Sequence, residues 1–177
     1  RAVSAGDVPG VIAIATDRTS VLYEGAFGHR VLGQEAPMTL DTVAWIASMT
    51  KAVTGAGAMQ LVEQGKLSLD APAARIIPSL GEVQVLDGFD AAGKPRLRAP
   101  RTAITLRHLL THTAGFSYDI WNADLGRYMA DKGIPGVISC LNAALTTPLV
   151  FDPGSRWDFG INIDWAGKMI EAVPGQK

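Results

Sequence analysis

The sequence predicts a mixed α/β fold, and three observations support that prediction. Two short apolar runs separated by a polar turn are typical of an antiparallel hairpin. One longer segment is apolar on almost every side, which is typical of a helix inside a core. Several further segments carry helix start and stop signals. Because a two-stranded sheet is marginal alone, we expect that these 177 residues lack strands that lie beyond Lys177.

The hairpin is predicted over residues 11–27. Residues 11–16 and 21–27 are the two apolar runs, and residues 17–20, Asp-Arg-Thr-Ser, have the composition of a turn. A polar stretch with proline and glycine, residues 28–39, separates the hairpin from the next predicted element.

The most informative element is a helix predicted over about residues 48–64. Between positions 52 and 62 the only polar side chains are Thr54 and Gln60, and Gly65 follows as a stop signal. A helix this apolar needs neighbours on every side, so we expect it in the interior. Its opening turn is Ser-Met-Thr-Lys at positions 48–51.

A mostly helical region is predicted over about residues 105–173. Thr105 is the expected N-cap of a short helix, 106–112, and Gly115 closes that segment. Before this region, residues 83–97 suggest a small surface hairpin. Further helices are expected near residues 122–131, 136–145 and 161–173, the last ending at Pro174-Gly175.

Composition excludes several classes of partner. The 16 basic and 17 acidic residues leave a net charge of −1, so neither nucleic acid nor an anionic membrane is indicated. The single cysteine, Cys140, excludes an internal disulfide and a cysteine-rich metal site. No apolar run approaches the ~20 residues that cross a bilayer. Localisation stays open: we favour the cytoplasm, with the periplasm or secretion as alternatives if a signal peptide was removed.

Ser48 and Lys51 are the candidate catalytic pair. Three residues apart at a helix start, they lie on one face. A serine hydroxyl is a weak nucleophile until a base takes its proton. Lysine is a base only when neutral, a state favoured by burial and by the positive end of a helix dipole. The same spacing also occurs where an N-cap serine precedes a solvated lysine, but the apolar helix favours catalysis.

Further segments carry a resemblance to a known family. They are VPGV at 8–11, DTVAWIASMTK at 41–51, LVEQGKLSLD at 61–70, ITLRHLLTHTAGF at 104–116 and FDPGSRW at 151–157. With the Ser-x-x-Lys motif, they resemble the serine β-lactamase, penicillin-binding protein and esterase superfamily. The similarity is greatest to the class C β-lactamase-like branch, and within it to the family VIII carboxylesterases.

The resemblance implies an α/β fold in which an antiparallel sheet is flanked by helices beside a helical region, with the active site between them. This chain would be its N-terminal portion. The implied reaction is acyl transfer: Ser48 attacks an ester or lactam carbonyl, Lys51 moves the proton, and water releases the acyl group. No metal or organic cofactor is implied. The segment 157–167, WDFGINIDWAG, favours small esters, with a β-lactamase or D-Ala-type peptidase as the alternative.

Two departures from the family pattern affect this prediction. Where the family carries a tyrosine that shares proton transfer with the lysine, this sequence has Phe159, whose ring cannot carry a proton. Either the enzyme relies on Lys51 and water, or the tyrosine was replaced and activity impaired, which we favour; a catalytically impaired binding relative is a second alternative. The family's third motif lies beyond Lys177, so we expect a second polypeptide carrying the rest of the domain.

Several other residues are weaker candidates. Trp121 and Tyr118 are expected to line a substrate pocket, and Asn162 lies near the position of a substrate-binding asparagine, although its offset from Phe159 is three rather than two. Tyr118 or Tyr128 could replace the missing phenol.

The histidines do not predict a metal site. His108 and His112 have the spacing of metal ligands on a helix, but the segment lacks a third ligand. His29 is expected on the surface.

Overall fold

A computed structural model describes residues 1–173, which form two compact units, Arg1–Ala47 and the residues from Ser48 onward. The predicted mixed α/β fold is confirmed, with short antiparallel hairpins and α-helices in one chain. That the whole chain is the N-terminal portion of one domain stays a prediction. The end of the last predicted helix, at Pro174-Gly175, lies outside the described residues.

The first unit contains a short helix, α1 (Ala2–Ala5), and a hairpin of β1 (Gly10–Thr16) and β2 (Val21–Gly28). The strands pair antiparallel, with Val11 opposite Phe27. The carboxylate of Asp17 forms the turn, because one oxygen accepts from the backbone N–H groups of Thr19 and Ser20, each at 2.7 Å. These hydrogen bonds lower the pKa of Asp17. The predicted hairpin over 11–27 is therefore present.

The second unit contains its own hairpin, formed by β3 (Val85–Phe89) and β4 (Pro95–Arg98). One oxygen of Asp90 accepts from the N–H groups of Ala92 and Lys94 at 2.9 and 2.8 Å and so closes the turn. This is the surface hairpin that the sequence predicted between residues 83 and 97.

Within the described part of the second unit, four α-helices surround the core. They are α2 (Thr50–Glu63), α3 (Leu106–Leu110), α4 (Ala123–Lys132) and α5 (Asn162–Ala172). Helices α2 and α3 both contact α5. The largest fully buried core side chains are Phe116, Leu106, Leu109, Leu125, Leu149 and Met169. Short 3-10 turns connect these helices at Ala73–Arg75, Pro78–Gly81, Val137–Ser139 and Asn142–Leu145.

The prediction of a helix over residues 136–145 is wrong. Two 3-10 turns occupy this stretch, and Cys140 between them adopts a left-handed conformation with φ of 56°. A residue in that conformation cannot continue an α-helix, so the segment turns instead of extending.

The interior position predicted for α2 holds for one face only. Ala58 and Leu61 are buried, whereas Met49 and Val53, at its start, are 70% and 66% exposed. The apolar pattern of this helix has no periodicity, so it does not mark which face the described residues cover. Within residues 1–173, no helix has the length and apolar character needed to span a bilayer.

Candidate active site

Ser48 and Lys51 face each other at the start of α2. Ser48 lies in the 3-10 turn Ala47–Met49, and Lys51 lies in the first turn of the helix that follows. The Nζ atom of Lys51 donates to Ser48 Oγ at 3.2 Å. The three-residue spacing therefore produces the contact that it predicted, and a nucleophile and a base lie within hydrogen-bond reach.

This pair lies in an apolar cleft of about 490 Å³. Its walls come from four places in the chain: the pair itself, residues 118–120, residues 136–139, and Phe159. Ser48 is exposed and Lys51 is half-buried. The burial that the sequence analysis expected for both side chains is therefore incomplete among the described residues, because only one face of α2 is covered.

The ring of Phe159 lies beside the lysine. Its centroid is 5.5 Å from Lys51 Nζ. The ring stacks on His112 at 4.5 Å and meets Tyr118 edge to face at 5.7 Å. The structure thus brings Phe159 together with Ser48 and Lys51. That position 159 is the one where a tyrosine shares proton transfer stays a prediction.

A close backbone approach fixes Phe159 in place. A Cβ atom on the next residue, Gly160, would lie 2.5 Å from Ser117 Cα, so only glycine fits there. In addition, the N–H of Asp158 donates to the carbonyl of His112 at 3.0 Å. Sequence reasoning missed Gly160, because a close approach between distant segments leaves no local pattern.

Asn162 lies in the core and contacts His112, the ring on which Phe159 stacks. It is fully buried, and its Nδ2 atom donates to His112 Nδ1 at 3.2 Å and to the carbonyl of Phe116 at 3.4 Å. Because Nδ1 accepts, the ring proton of a neutral His112 lies on Nε2. Burial, and then the charge of Lys51, lower the pKa of His112. The structure does not bring Asn162 into the cleft.

The aromatic residues predicted to bind substrate do not lie together in the cleft. Tyr118 lines the cleft, and burial raises its pKa, with a further contribution from Asp164. Trp121 is 61% exposed and is not among the lining residues. Tyr128 lines a different cavity. Their roles as substrate-binding or phenol-replacing residues stay predictions.

Ile120, Val137 and Ile138 form much of the apolar wall. The side chain of Ile138 is 92% exposed at this wall. The sequence did not predict this wall. Residues 136–145 were expected to form a helix, whereas the turn at Val137–Ser139 brings this segment to the cleft.

The remaining histidines have other surroundings. His29 is exposed, as predicted. His108 lies in α3, and its backbone N–H donates to the capping residue Thr105 at Oγ1, at 3.2 Å. Among residues 1–173, no group of three or more His, Cys, Asp or Glu side chains could hold a metal ion.

The chain is similar in sequence to a known family and to curated proteins. The family described as Beta-lactamase matches residues 1–177. The chain is 40% identical to the Monacolin J acid methylbutanoyltransferase of Aspergillus terreus, over 99% of this chain and 44% of that protein. It is 37% identical to the Lovastatin esterase of Penicillium rubens, over 98% of this chain and 45% of that protein.

A solved structure shares the fold. The unliganded Simvastatin Synthase (LovD) of Aspergillus terreus superposes with a TM-score of 0.88 at 38% identity, over 99% of this chain and 46% of that chain. The chain therefore spans less than half the length of the proteins it matches.

Proposed function

The chain belongs to the beta-lactamase family, and from this premise we propose that it transfers acyl groups through a covalent intermediate on Ser48, as a carboxylesterase acting on small neutral esters. One observation carries the proposal: Lys51 Nζ lies 3.2 Å from Ser48 Oγ in an apolar cleft. The relatives named as esterase and acyltransferase support this reaction class.

The reaction proceeds in two acyl transfers. Ser48 Oγ attacks the ester carbonyl carbon while neutral Lys51 accepts its proton. The tetrahedral intermediate collapses, the bond to the alcohol oxygen breaks, and Lys51 returns the proton to the departing alcohol. A water molecule then attacks the acyl carbonyl carbon while Lys51 accepts one of its protons. The bond between this carbon and Ser48 Oγ breaks, the acid is released, and Lys51 returns the proton to Ser48 Oγ.

The charges of the cleft favour neutral esters over lactams and D-Ala peptides. Both alternatives carry a carboxylate that needs a cation. Among the described residues that line the cleft, Lys51 is the only basic side chain and is engaged with Ser48, while Asp119 adds a negative charge. An anionic substrate therefore lacks a partner in this part of the chain.

A second candidate function is transfer of the acyl group to an alcohol instead of water. The apolar wall at Ile138 favours it, since an apolar alcohol gains more from that surface than water does. The transferase among the relatives supports the same reaction. Hydrolysis in the presence of butanol, with the butyl ester measured as a product, distinguishes the two.

Labelling with a fluorophosphonate tests the proposal. We expect one adduct by intact mass, located on Ser48, and its loss in Ser48→Ala. Ser139→Ala is the matched control, because Ser139 lines the same cleft without a lysine partner among the described residues. Hydrolysis of a short-chain p-nitrophenyl ester should exceed that of nitrocefin. The absence of labelling would favour the impaired binding relative that Phe159 suggests.

A further inference from the structure

A half-buried imidazole packs against the ring of Phe159. The ring of His112 stacks on it with centroids 4.5 Å apart and meets Trp157 edge to face at 6.4 Å. The centroid of Phe159 is in turn 5.5 Å from Lys51 Nζ. A titratable group therefore contacts the ring beside the proposed base, and the acyl transfer gives that group no role.

The hydrogen bonds of Asn162 fix the protonation state of this imidazole. The Nδ2 atom of Asn162 lies 3.4 Å from the carbonyl oxygen of Phe116. Because a carbonyl oxygen only accepts, the amide nitrogen and not the amide oxygen has to face it. The same nitrogen lies 3.2 Å from His112 Nδ1. An amide nitrogen only donates, so Nδ1 accepts and carries no proton.

A protonated imidazole does not fit these contacts. Protonation of His112 would place an N–H on Nδ1, so that two donors face each other beside Asn162, which is fully buried. A buried donor without an acceptor is costly, so the imidazole or the amide would have to move. The face of Phe159 attracts cations, but Lys51 already lies over that ring. The contacts therefore accommodate the neutral form.

The surroundings of the imidazole also favour its neutral form. Burial lowers the pKa of His112, and the charge of Lys51, on α2, lowers it further. Asp158 contacts this residue through its backbone, since its N–H donates to the His112 carbonyl at 3.0 Å. The other titratable side chains near this wall are Tyr118 and, in the first turn of α5, Asp164.

We propose that His112 is a positioning residue of the cleft: neutral, and held at Nδ1 by Asn162, it fixes the ring of residue 159 beside Lys51, and on protonation it releases that ring. The wall then has a fixed form above the titration midpoint of His112 and a loosened form below it. This inference goes beyond the acyl transfer and does not depend on it, since it concerns how the wall is held and not what Ser48 does.

The test is an NMR titration of the whole chain from about pH 8 to about pH 5, the range in which histidines change charge. At the upper end, the ring proton of His112 should lie on Nε2. Its midpoint should lie below the ordinary histidine value of about 6.5. The nuclear Overhauser contact between the rings of Phe159 and Tyr118, whose centroids are 5.7 Å apart, should weaken with the same midpoint.

His112→Asn is the matched variant. His112 has a φ of 56°, a left-handed conformation that asparagine tolerates. The Oδ1 atom of asparagine is as many bonds from the backbone as Nδ1 of histidine, so it can accept from Asn162 but cannot be protonated in this range. The contact between Phe159 and Tyr118 should therefore not depend on pH in this variant. Its spectrum also identifies the His112 signals, because they are lost.

Two further measurements separate this role from a general effect of acid. The methyl signals of Leu109, which is fully buried in the core, should not follow the His112 midpoint. Asn162→Leu removes the donor, and the neutral imidazole should then no longer prefer Nε2–H. Should that variant not fold, wild type and His112→Asn still decide. A proton on Nδ1 of neutral wild-type His112, a midpoint at or above the ordinary value, a Phe159–Tyr118 contact that does not change, or the same acid loss in His112→Asn would each overturn the proposal.

Discussion

Phe159 differs from a tyrosine by one hydroxyl group, and this difference affects the chemistry of the cleft. Its ring lies 5.5 Å from Lys51 Nζ and is held between His112 and Tyr118. A tyrosine in the same ring position would carry a hydroxyl that can donate and accept a proton. In the proposed reaction Lys51 alone moves the proton, for the departing alcohol and again for water, and such a hydroxyl would assist both steps.

We predict that Phe159→Tyr raises ester turnover by about 10²–10⁴-fold, the usual contribution of a positioned proton-transfer group. The measurement is steady-state hydrolysis of a short-chain p-nitrophenyl ester. Tyr118→Phe is the control, because it removes the hydroxyl of a cleft residue outside the motif and should have a far smaller effect. An unchanged rate in Phe159→Tyr would remove position 159 from the catalytic machinery.

The carboxylate of Asp152 is held by two arginines. Arg98 binds it with two hydrogen bonds, at 2.8 and 2.9 Å, and the N–H of Arg101 donates at 2.9 Å. The Arg98 hydrogen bonds, followed by the Arg101 backbone, lower the pKa of Asp152 from 3.8 to about 2. Because the folded-state value is the lower one, the stabilisation is present above about pH 4 and disappears as pH falls through about 2.

We predict that Asp152→Asn lowers stability at neutral pH and that the difference from wild type shrinks as pH falls from 4 towards 2. Denaturant unfolding across this range measures it. Asp70→Asn is the matched control: the Asp70–Arg107 pair has similar geometry, but its side chains are 68% and 53% exposed, so the loss should be smaller. A difference that is constant with pH would contradict the ion-pair explanation.

At the residue scale, the sequence predicted what a local motif encodes. Ser48 and Lys51 meet because their three-residue helix spacing sets their directions, whereas Phe159 reaches them through packing between distant segments. Asn162 and Trp121 lie outside the cleft, because their burial and exposure depend on packing between distant segments.

Helix α3 begins at a side-chain cap. Thr105 precedes it in an extended conformation, and its hydroxyl accepts from the N–H of His108 at 3.2 Å. This satisfies one of the N–H groups that a helix start leaves without an intrahelical partner.

We predict that Thr105→Ala lowers the free energy of unfolding by about 1 kcal/mol, the typical cost of losing an N-cap side chain. Thr105→Ser retains the hydroxyl and should lose much less. Chemical denaturation followed by circular dichroism measures both. Equal losses in the two variants would assign the effect to the threonine methyl group instead of the cap.

At the element scale, capping and turn residues were the reliable signals. Thr105 and the Asp17 turn appear where the sequence predicted them. The helix predicted over 136–145 failed because the left-handed Cys140 interrupts it, and cysteine has no special preference for that conformation that a sequence pattern would reveal.

In the molecule as a whole, the cleft depends on contact between segments far apart in the chain. The backbone of Ser117 lies where a side chain on Gly160 would be, at 2.5 Å from the added Cβ. Gly55, within α2, has no such neighbour, since nothing lies within 4 Å of an added Cβ.

We predict opposite effects of alanine at these two glycines. Gly160→Ala should destabilise the protein by about 3 kcal/mol or more, because backbone must move to relieve the clash. Gly55→Ala should stabilise it by about 0.5–1 kcal/mol, because alanine favours a helix interior. Thermal and denaturant unfolding measure both. Equal stability of Gly160→Ala and wild type would show that the two segments do not pack closely in solution.

The fold class could be predicted from the sequence, whereas the layout of the core could not. Apolar runs, turns and caps identified a hairpin and helices because each signal is local. Helices α2 and α3 both contact α5, and such contacts between segments far apart in the sequence leave no local signal. Because α2 is apolar on every side, its sequence also does not indicate which of its faces is covered. The strands expected beyond Lys177 stay a prediction, as does a second polypeptide.

The side of α2 that residues 1–173 leave exposed has a consequence for dye-based experiments. Met49, Val53 and Met59 form apolar surface that is 70%, 66% and 41% exposed. Dyes such as anilinonaphthalene sulfonate fluoresce on surfaces of this kind. The native chain should therefore be bright with such a dye before any heating, and a dye-based melting curve would begin from a high baseline that mimics partial unfolding.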